Sequence, residues 1–384
     1  MLFRSFVKMP KDFLPSEDSG QLFAFTEAAQ DVSFEAMARL QQQAAAIVKE
    51  DPAVESVMSF IGAGGGGASA LNLGRIFIVL KPRHERATPD EIIQRLRPKL
   101  ASVAGMKVFL QNIPTIRIGG QFSKTQYQFT LQNADTEELF QWATVITERL
   151  SKLPGFQDVT NDLQIANPQV NVEIDRNRAS ALGVTAQQIE NTLYNAFGQR
   201  QVSTIYTSSN QYWVILELDP RFQNDPSALS LIYVRASNGN LVPLNSVATL
   251  SRNLGPLSIS HFGQLPSVTV SFNLAPGVAL GDAIDKVNAA MIELKAPSTL
   301  IANFQGAAQV FRSSLAGMGL LLAMAIFVIY LVLGILYESY IHPITILSGL
   351  PTAGMGALAT LMLFNMPLNM YAYVGIIMLV GIVK

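Results

Sequence analysis

Between residues 315 and 384 only Glu338 and Lys384 carry charge at neutral pH. The stretch opens with "LAGMGLLLAMAIFVIYLVLGILY", residues 315–337. At ~1.5 Å per residue this helix would reach about 34 Å, enough to cross a hydrocarbon core of ~30 Å. A polar step, "ESYIHP", follows, and then "ITILSGLPTAGMGALATLMLF" over 344–364 is long enough to cross back. "NMPLN" turns the chain into a last apolar run, 371–384, which covers about 21 Å as a helix. The expectation is three membrane helices, the third cut short at its end. Three buried helices of a soluble core are the alternative, but two uncharged runs above ~18 residues argue against it. Gly349, Ala353 and Ala357 stand four apart, which lets a neighbouring helix approach closely. Pro351 predicts a kink. The short loops hold no Lys or Arg, so charge does not orient the spans.

Charged residues make up 14% of the 384-residue chain, against ~25% in an average protein. The deficit lies in the apolar end; up to about residue 312 the chain reads as a soluble protein. Net charge is −1, which gives no sign of nucleic-acid binding. There is no cysteine, so disulfides and thiolate chemistry are excluded. The start, "MLFRSFVKMPKDFLP", lacks the apolar segment of a signal peptide. Export of the soluble part is therefore expected to depend on a membrane helix upstream.

The soluble part repeats a strand–helix–strand unit. "LFAFTEA" alternates as a strand, Ser33 caps a helix facing inward with Met37, Leu40, Ala44, Ile47 and Val48, and "DPAVESVMSFI" returns. "RIFIVLK" begins the next unit; Thr88, Pro89 and Glu91 form a capping box, and "MKVFLQ" closes it. Two such units predict a ferredoxin-like βαββαβ layer. The pattern recurs with "YQFTLQN", a helix capped by Asp135, "LPGFQDV" and "QVNVEID". Thr185 and Gln188 box a further helix, and "SVTVSFN", a helix near 284–294 and "LIANFQG" complete the repeat. A β-rich insert at 201–265 interrupts it, with Asn238-Gly239 predicted as a two-residue hairpin turn.

"GAGGGGAS" matches G-x-G-x-x-G through Gly62, Gly64 and Gly67, but a strand rather than a helix follows, so a dinucleotide site is rejected. A flexible loop between two strands remains, either a plain hairpin tip or a mobile gate beside a cleft. His84, His261 and His342 have no metal-ligand spacing. No metal, cofactor or catalytic residue is expected, and the chain is not read as an enzyme. Phe60, Phe77, Phe109, Tyr127 and Phe129 lie on strands, where core packing and an apolar cleft for greasy ligands both fit. Lys384 is an ionisable residue in an apolar run, a functional candidate by default.

Three stretches carry a family resemblance. "MPKDFLPSEDSGQ" resembles the segment after the seventh membrane helix of resistance–nodulation–division (RND) efflux permeases of the hydrophobe/amphiphile class. "NVEIDRNRASALGVTAQQIENTLYNAFGQRQVSTIYTSSNQYWVILEL" resembles the second porter subdomain leading into the docking insert. "LVLGILYESYIHPITILSGLPTAGMGAL" and "VGIIMLVGIVK" resemble membrane helices eight, nine and ten. The likeness covers essentially the whole chain and is strongest to the multidrug subgroup that forms mixed trimers of two related subunits.

The resemblance implies a proton-driven antiporter of the bacterial inner membrane. It would pass hydrophobic or amphiphilic compounds to an outer-membrane channel through a periplasmic adaptor, as a homo- or heterotrimer embedded in membrane lipid. Residues 1–18 become a linker after a missing membrane helix, 19–132 the first porter subdomain, 133–200 and 266–312 the second, and 201–265 the docking insert. Membrane helices follow from 313 to 384, and about 1–312 lies in the periplasm. Met58, Phe60 and Phe77 match the deep drug pocket, Tyr127 and Phe129 the pocket at the entrance. Gly62, Gly64, Gly65, Gly66 and Gly67 match a switch loop, though the family's aromatics there are absent. The relay lysine of helix ten falls one position beyond Lys384, and its acidic partners lie upstream, so no complete relay is expected in this chain. The chain reads as the incomplete C-terminal half of such a permease. A membrane-tethered periplasmic binding or scaffold module, or an RND relative for lipid or protein export, is the alternative.

Overall fold

A computed structural model describes residues 9–15, 17–62, 70–114, 118–120, 123–223, 225–364 and 366–382. The chain divides into two compact units, one of residues Met1–Gln164 with Leu257–Lys384, the other Ile165–Pro256.

The first unit holds two α/β layers. In the first layer β1 (Gln21–Ala28), β2 (Val54–Ile61), β3 (Leu73–Leu80) and β4 (Met106–Asn112) form a sheet in the order β2-β3-β1-β4. Every neighbouring pair is antiparallel. Helix α1 (Phe34–Lys49) joins β1 to β2, and α2 (Pro89–Leu100) joins β3 to β4. The helices start where the sequence predicts: the Ser33 hydroxyl accepts from the Ala36 N–H, and Thr88 and Glu91 close a capping box. Both helices cover one sheet face, where Leu22, Ala24, Ile76 and Ile78 pack against Met37, Ala44, Val48, Ile92 and Leu96. Strand side chains alternate, so the odd-numbered residues of β1 and β3 point to the other face.

The second layer follows the same plan. Strands β5 (Tyr127–Gln132), β6 (Phe156–Asn161), β7 (Leu265–Leu274) and β8 (Ile301–Gln305) take the order β6-β7-β5-β8. Helix α3 (Thr136–Ser151) joins β5 to β6, and α4 (Leu280–Glu293) joins β7 to β8. Its core gathers Leu139, Ala143, Ile146 and Leu150 from α3 with Leu131, Val268, Val270 and Phe272 from the sheet. Thus β5, assigned to the first subdomain by the boundary at 132, belongs to the second sheet. Its backbone pairs with β7 and β8, not with β4.

The boundary expected at 201 also moves. The strand Asn167–Ile174 pairs along its whole length with Ala248–Gly255. It leaves the second layer for the Ile165–Pro256 unit, and β7 takes its place in the repeat. The helix Ala186–Phe197, with its Thr185–Gln188 capping box, goes with it, because Ile189 is buried among Ala179, Val234, Leu244 and Val247. Two hairpins complete this unit, Arg200–Tyr206 with Gln211–Leu216 and Tyr233–Arg235 with Leu241–Pro243. In the second the turn is one residue longer than predicted. The Ala236 N–H donates to Asn240 O and the Gly239 N–H to Ala236 O, leaving Gly239 at φ 90°. This is a three-residue loop with a left-handed glycine.

The apolar end is helical: α5 (Ala307–Leu336), α6 (Ile341–Leu347), α7 (Leu350–Leu363) and α8 (Met370–Ile382). Helix α5 begins eight residues before the predicted 315, since nothing after Gly306 breaks it and Ala308 and Phe311 are buried in the second core. Gly306 itself has φ 61° and ψ −135°, a conformation essentially reserved for glycine. The stretch Ile341–Leu363 is interrupted at Ser348–Gly349, just before Pro351, which supplies no N–H to the preceding turn. Ala307–Leu336 and Ile341–Leu363 are long and apolar enough to cross a membrane. The N-terminal strap is tied to the α7–α8 connection: Leu368 N–H donates to Pro10 O and Met370 N–H to Phe13 O. Met9, Leu358, Leu368 and Tyr373 pack together there.

Candidate functional site

The face of the first sheet turned away from α1 and α2 is aromatic. Phe23 and Phe25 of β1 stand 4.8 Å apart between ring centroids, and Phe23 meets Phe77 of β3 at 4.7 Å. Phe109 of β4 joins them. Phe77 pairs across the ladder with Met58, and its ring lies 6.1 Å from that of Phe60. The cluster therefore runs from buried Phe23, Phe25 and Phe109 to an exposed edge on β2, where Met58 is 55% and Phe60 40% exposed. The Arg75 guanidinium lies over the Phe25 ring at 5.6 Å, and burial pulls its pKa down. Such edge-on ring contacts and a cation over a ring suit flat, apolar or cationic ligands.

Where β2 ends and the chain leads on to β3, the Gly62 N–H donates to Leu73 O at 2.8 Å, with Gly62 at φ 69°. The expected switch-loop residues Gly64, Gly65, Gly66 and Gly67 lie outside the described residues, as does Lys384.

Tyr127 and Phe129 stand on the other sheet and do not join this cluster. Phe129 is 2% exposed and packs on Phe304 at 4.8 Å, inside the second core. Tyr127 packs on Phe272 at 5.8 Å. Burial pushes its phenol well up, and the charges of Asp12 and Asp90 add to the shift. Tyr127 also lines a cavity of about 350 Å³ together with Asp12, Phe23, Arg97, Asn112 and Thr125. Phe23 borders both the cavity and the aromatic cluster. Burial pushes the Asp12 carboxyl up, against N–H groups of Phe13 and Leu280 that pull it down.

The cavity walls carry polar groups that sequence periodicity did not single out. Thr125 is 1% exposed, and among the described residues its hydroxyl has no hydrogen-bond partner; nor does Asn112 Oδ1. Two ion pairs bridge the layers, Arg97–Asp158 at 2.8 Å and Lys124–Glu27 at 2.5 Å. Among the described residues no group of three or more His, Cys, Asp or Glu is placed to hold a metal ion. The arrangement offers apolar and aromatic contact with a few oriented polar groups, which suits binding rather than bond chemistry.

Comparison with known proteins places this geometry in a family. The pattern of the AcrB/AcrD/AcrF family matches residues 1–384. The chain belongs to the AcrB/AcrD/AcrF family. Members of this family are RND efflux permeases, transporters and not enzymes. This AcrB-family chain is 43% identical over 380 residues to "Multidrug resistance protein MdtC" of Escherichia coli strain K12 / DH10B, covering 99% of the chain and 37% of the relative. The protein of the same name from Escherichia fergusonii matches equally. The chain spans just over a third of the length of these relatives. Two crystal forms of "a heavy metal efflux pump" share the fold at a TM-score of 0.88, with 22% and 24% identity, and 99% of this chain covers 40% of each.

Proposed function

We propose that this AcrB-family chain supplies the binding surface of a proton-driven efflux transporter that exports drugs and other amphiphilic compounds. The observation that carries the reading is the aromatic face of the first sheet, which passes from a buried cluster at Phe23, itself a wall of the cavity, to exposed Met58 and Phe60. The name shared by the relatives at 43% identity supports the substrate class.

In this reading the two layers of order 2-3-1-4 and 6-7-5-8 are ferredoxin-like porter subdomains. They stand in the periplasm, about residues 1–312, and the 165–256 unit is the docking insert. Helices α5 to α8 sit in the bacterial inner membrane among lipid. The whole transporter is a homo- or heterotrimer joined to a periplasmic adaptor and an outer-membrane channel. Glycines 62 and 64–67 serve as the switch loop. Met58, Phe60 and Phe77 hold substrate in the deep pocket. Tyr127 contributes at the entrance through its place on the cavity wall, and Phe129 backs it from the core.

The test is dye efflux by cells expressing the full-length protein. Phe60→Ala combined with Phe77→Ala is expected to cut ethidium efflux at least fivefold at unchanged protein level. Efflux equal to that of the parent overturns the assignment of the face.

A further inference from the structure

Gln41 lies in the buried stripe of α1, between Met37 and Ala44, and is only 2% exposed. An amide in such a place is costly unless its hydrogen bonds are made. They are made, and all of them go to the sheet. Its Oε1 accepts from the Thr26 hydroxyl of β1 at 2.6 Å. Its Nε2 donates to Ser59 Oγ of β2 at 2.9 Å, and to the carbonyls of Phe60 on β2 and Arg75 on β3 at 3.3 Å each. One side chain thus fastens three strands from the helix side.

These contacts fall at the end of the β2–β3 ladder, where Phe60 pairs with Arg75 and Ile61 with Gly74. Gly74 provides the room. A Cβ there would stand 2.5 Å from Thr26 Oγ1 and 2.7 Å from Gln41 Oε1. Strand side chains alternate, so holding Ser59 and the Phe60 carbonyl from below fixes the direction of the Phe60 ring above. The same holds for Arg75 over Phe25.

We infer that Gln41 is a positioning residue for ligand binding: its amide sets the Phe60 edge of the aromatic face, and Gly74 leaves it the space to do so. The inference rests on the reading of that face as the binding surface. Gln41 touches no ligand itself; it acts through the backbone of β2 and β3.

The experiment measures Nile red binding to the full-length protein in lipid nanodiscs, beside its melting temperature. Phe60→Ala is expected to weaken binding about tenfold and tests the face. Gln41→Leu is expected to weaken it at least fivefold. Thr26→Val with Gln41→Leu removes both members of the buried pair, which leaves no stranded hydroxyl at that pair. This double variant is expected to melt closer to the parent than Gln41→Leu while binding stays weak. Gln41→Leu with Phe60→Ala is expected to bind no more weakly than Phe60→Ala alone.

If Gln41→Leu binds as the parent does while Phe60→Ala does not, positioning is overturned and the face stands. If the Thr26→Val/Gln41→Leu variant regains binding together with stability, Gln41 serves stability alone and the inference fails. If Phe60→Ala binds as the parent does, the face is not the site and the inference falls with it.

Discussion

Arg97 of α2 and Asp158 of β6 meet at 2.8 Å, an ion pair that joins the first α/β layer to the second. Each partner is also held by its own neighbour: Arg97 donates to Gln157 Oε1, and Asn273 Nδ2 donates to Asp158 at 2.9 Å. The same Asn273 amide donates to Leu110 O at 3.3 Å, so these contacts cross between the layers three times. Asp158→Ala is expected to destabilise the fold by about 1–3 kcal/mol, since it leaves a half-buried guanidinium and an amide short of an acceptor. Chemical denaturation of the variant beside the parent measures this, and an unchanged midpoint refutes it.

Asp51 predicts a pH dependence. Burial pushes its carboxyl up, but bonds from Arg95 and the Ala53 N–H outweigh that, and the net pKa lies below the ordinary carboxylate value. A carboxyl depressed in the folded state stabilises it above the unfolded-state pKa, ~3.9 for Asp. That contribution is lost as pH falls through the lower folded value. Melting temperature should therefore drop with acid below about pH 4 more steeply in the parent than in Asp51→Asn. Parallel pH profiles would contradict the assignment.

Gly74→Ala is expected to cost about 1–3 kcal/mol by overpacking. The new methyl meets Thr26 Oγ1 and the Gln41 amide, and neither can retreat without breaking their 2.6 Å bond. Pairing it with Thr26→Ser should recover none of this loss, because the hydroxyl remains in place. Thermal unfolding of the three proteins decides the matter.

Thr185→Ala should act locally. Thr185 Oγ1 accepts from the Gln188 N–H at 3.2 Å, and Gln188 Oε1 accepts from the Thr185 N–H at 2.8 Å. Losing this box costs about 1 kcal/mol in typical helices. Hydrogen exchange should quicken at amides of Ala186–Phe197 and stay as before in β1–β4. Uniform quickening across both would mean that the helix end does not unfold by itself.

What could be read in the residues was local. In the α1 stripe Met37, Ala44 and Val48 are buried as their spacing predicts, and Ser33, Thr88, Asp135 and Thr185 cap the helices they precede. What escaped was pairing at a distance. Nothing in "QVNVEID" says that its partner is Ala248–Gly255 rather than a strand of the adjoining layer, because alternation reports a buried face and not a neighbour. For β5 the strand–helix–strand pattern already pointed to the second repeat, and only the boundary at 132 taken from the resemblance cut it off. In the site, resemblance grouped Tyr127 and Phe129 with the cleft, while the register of β5 turns Phe129 into the core. Gln41 left a trace that periodicity passes over, a polar residue on the apolar stripe of α1. Its meaning depends on Thr26 and Gly74, which lie on other strands.

Only Gly306 separates β8 from α5. With ~1.5 Å of rise per residue, the thirty residues of Ala307–Leu336 make an arm about 45 Å long. A pivot of ten degrees at that single glycine would sweep the far tip by roughly 8 Å on the same rise. Conversely, a shift of a few ångströms deep among the apolar helices reaches the edge of the second sheet as a slight rotation, with no slack loop between to absorb it.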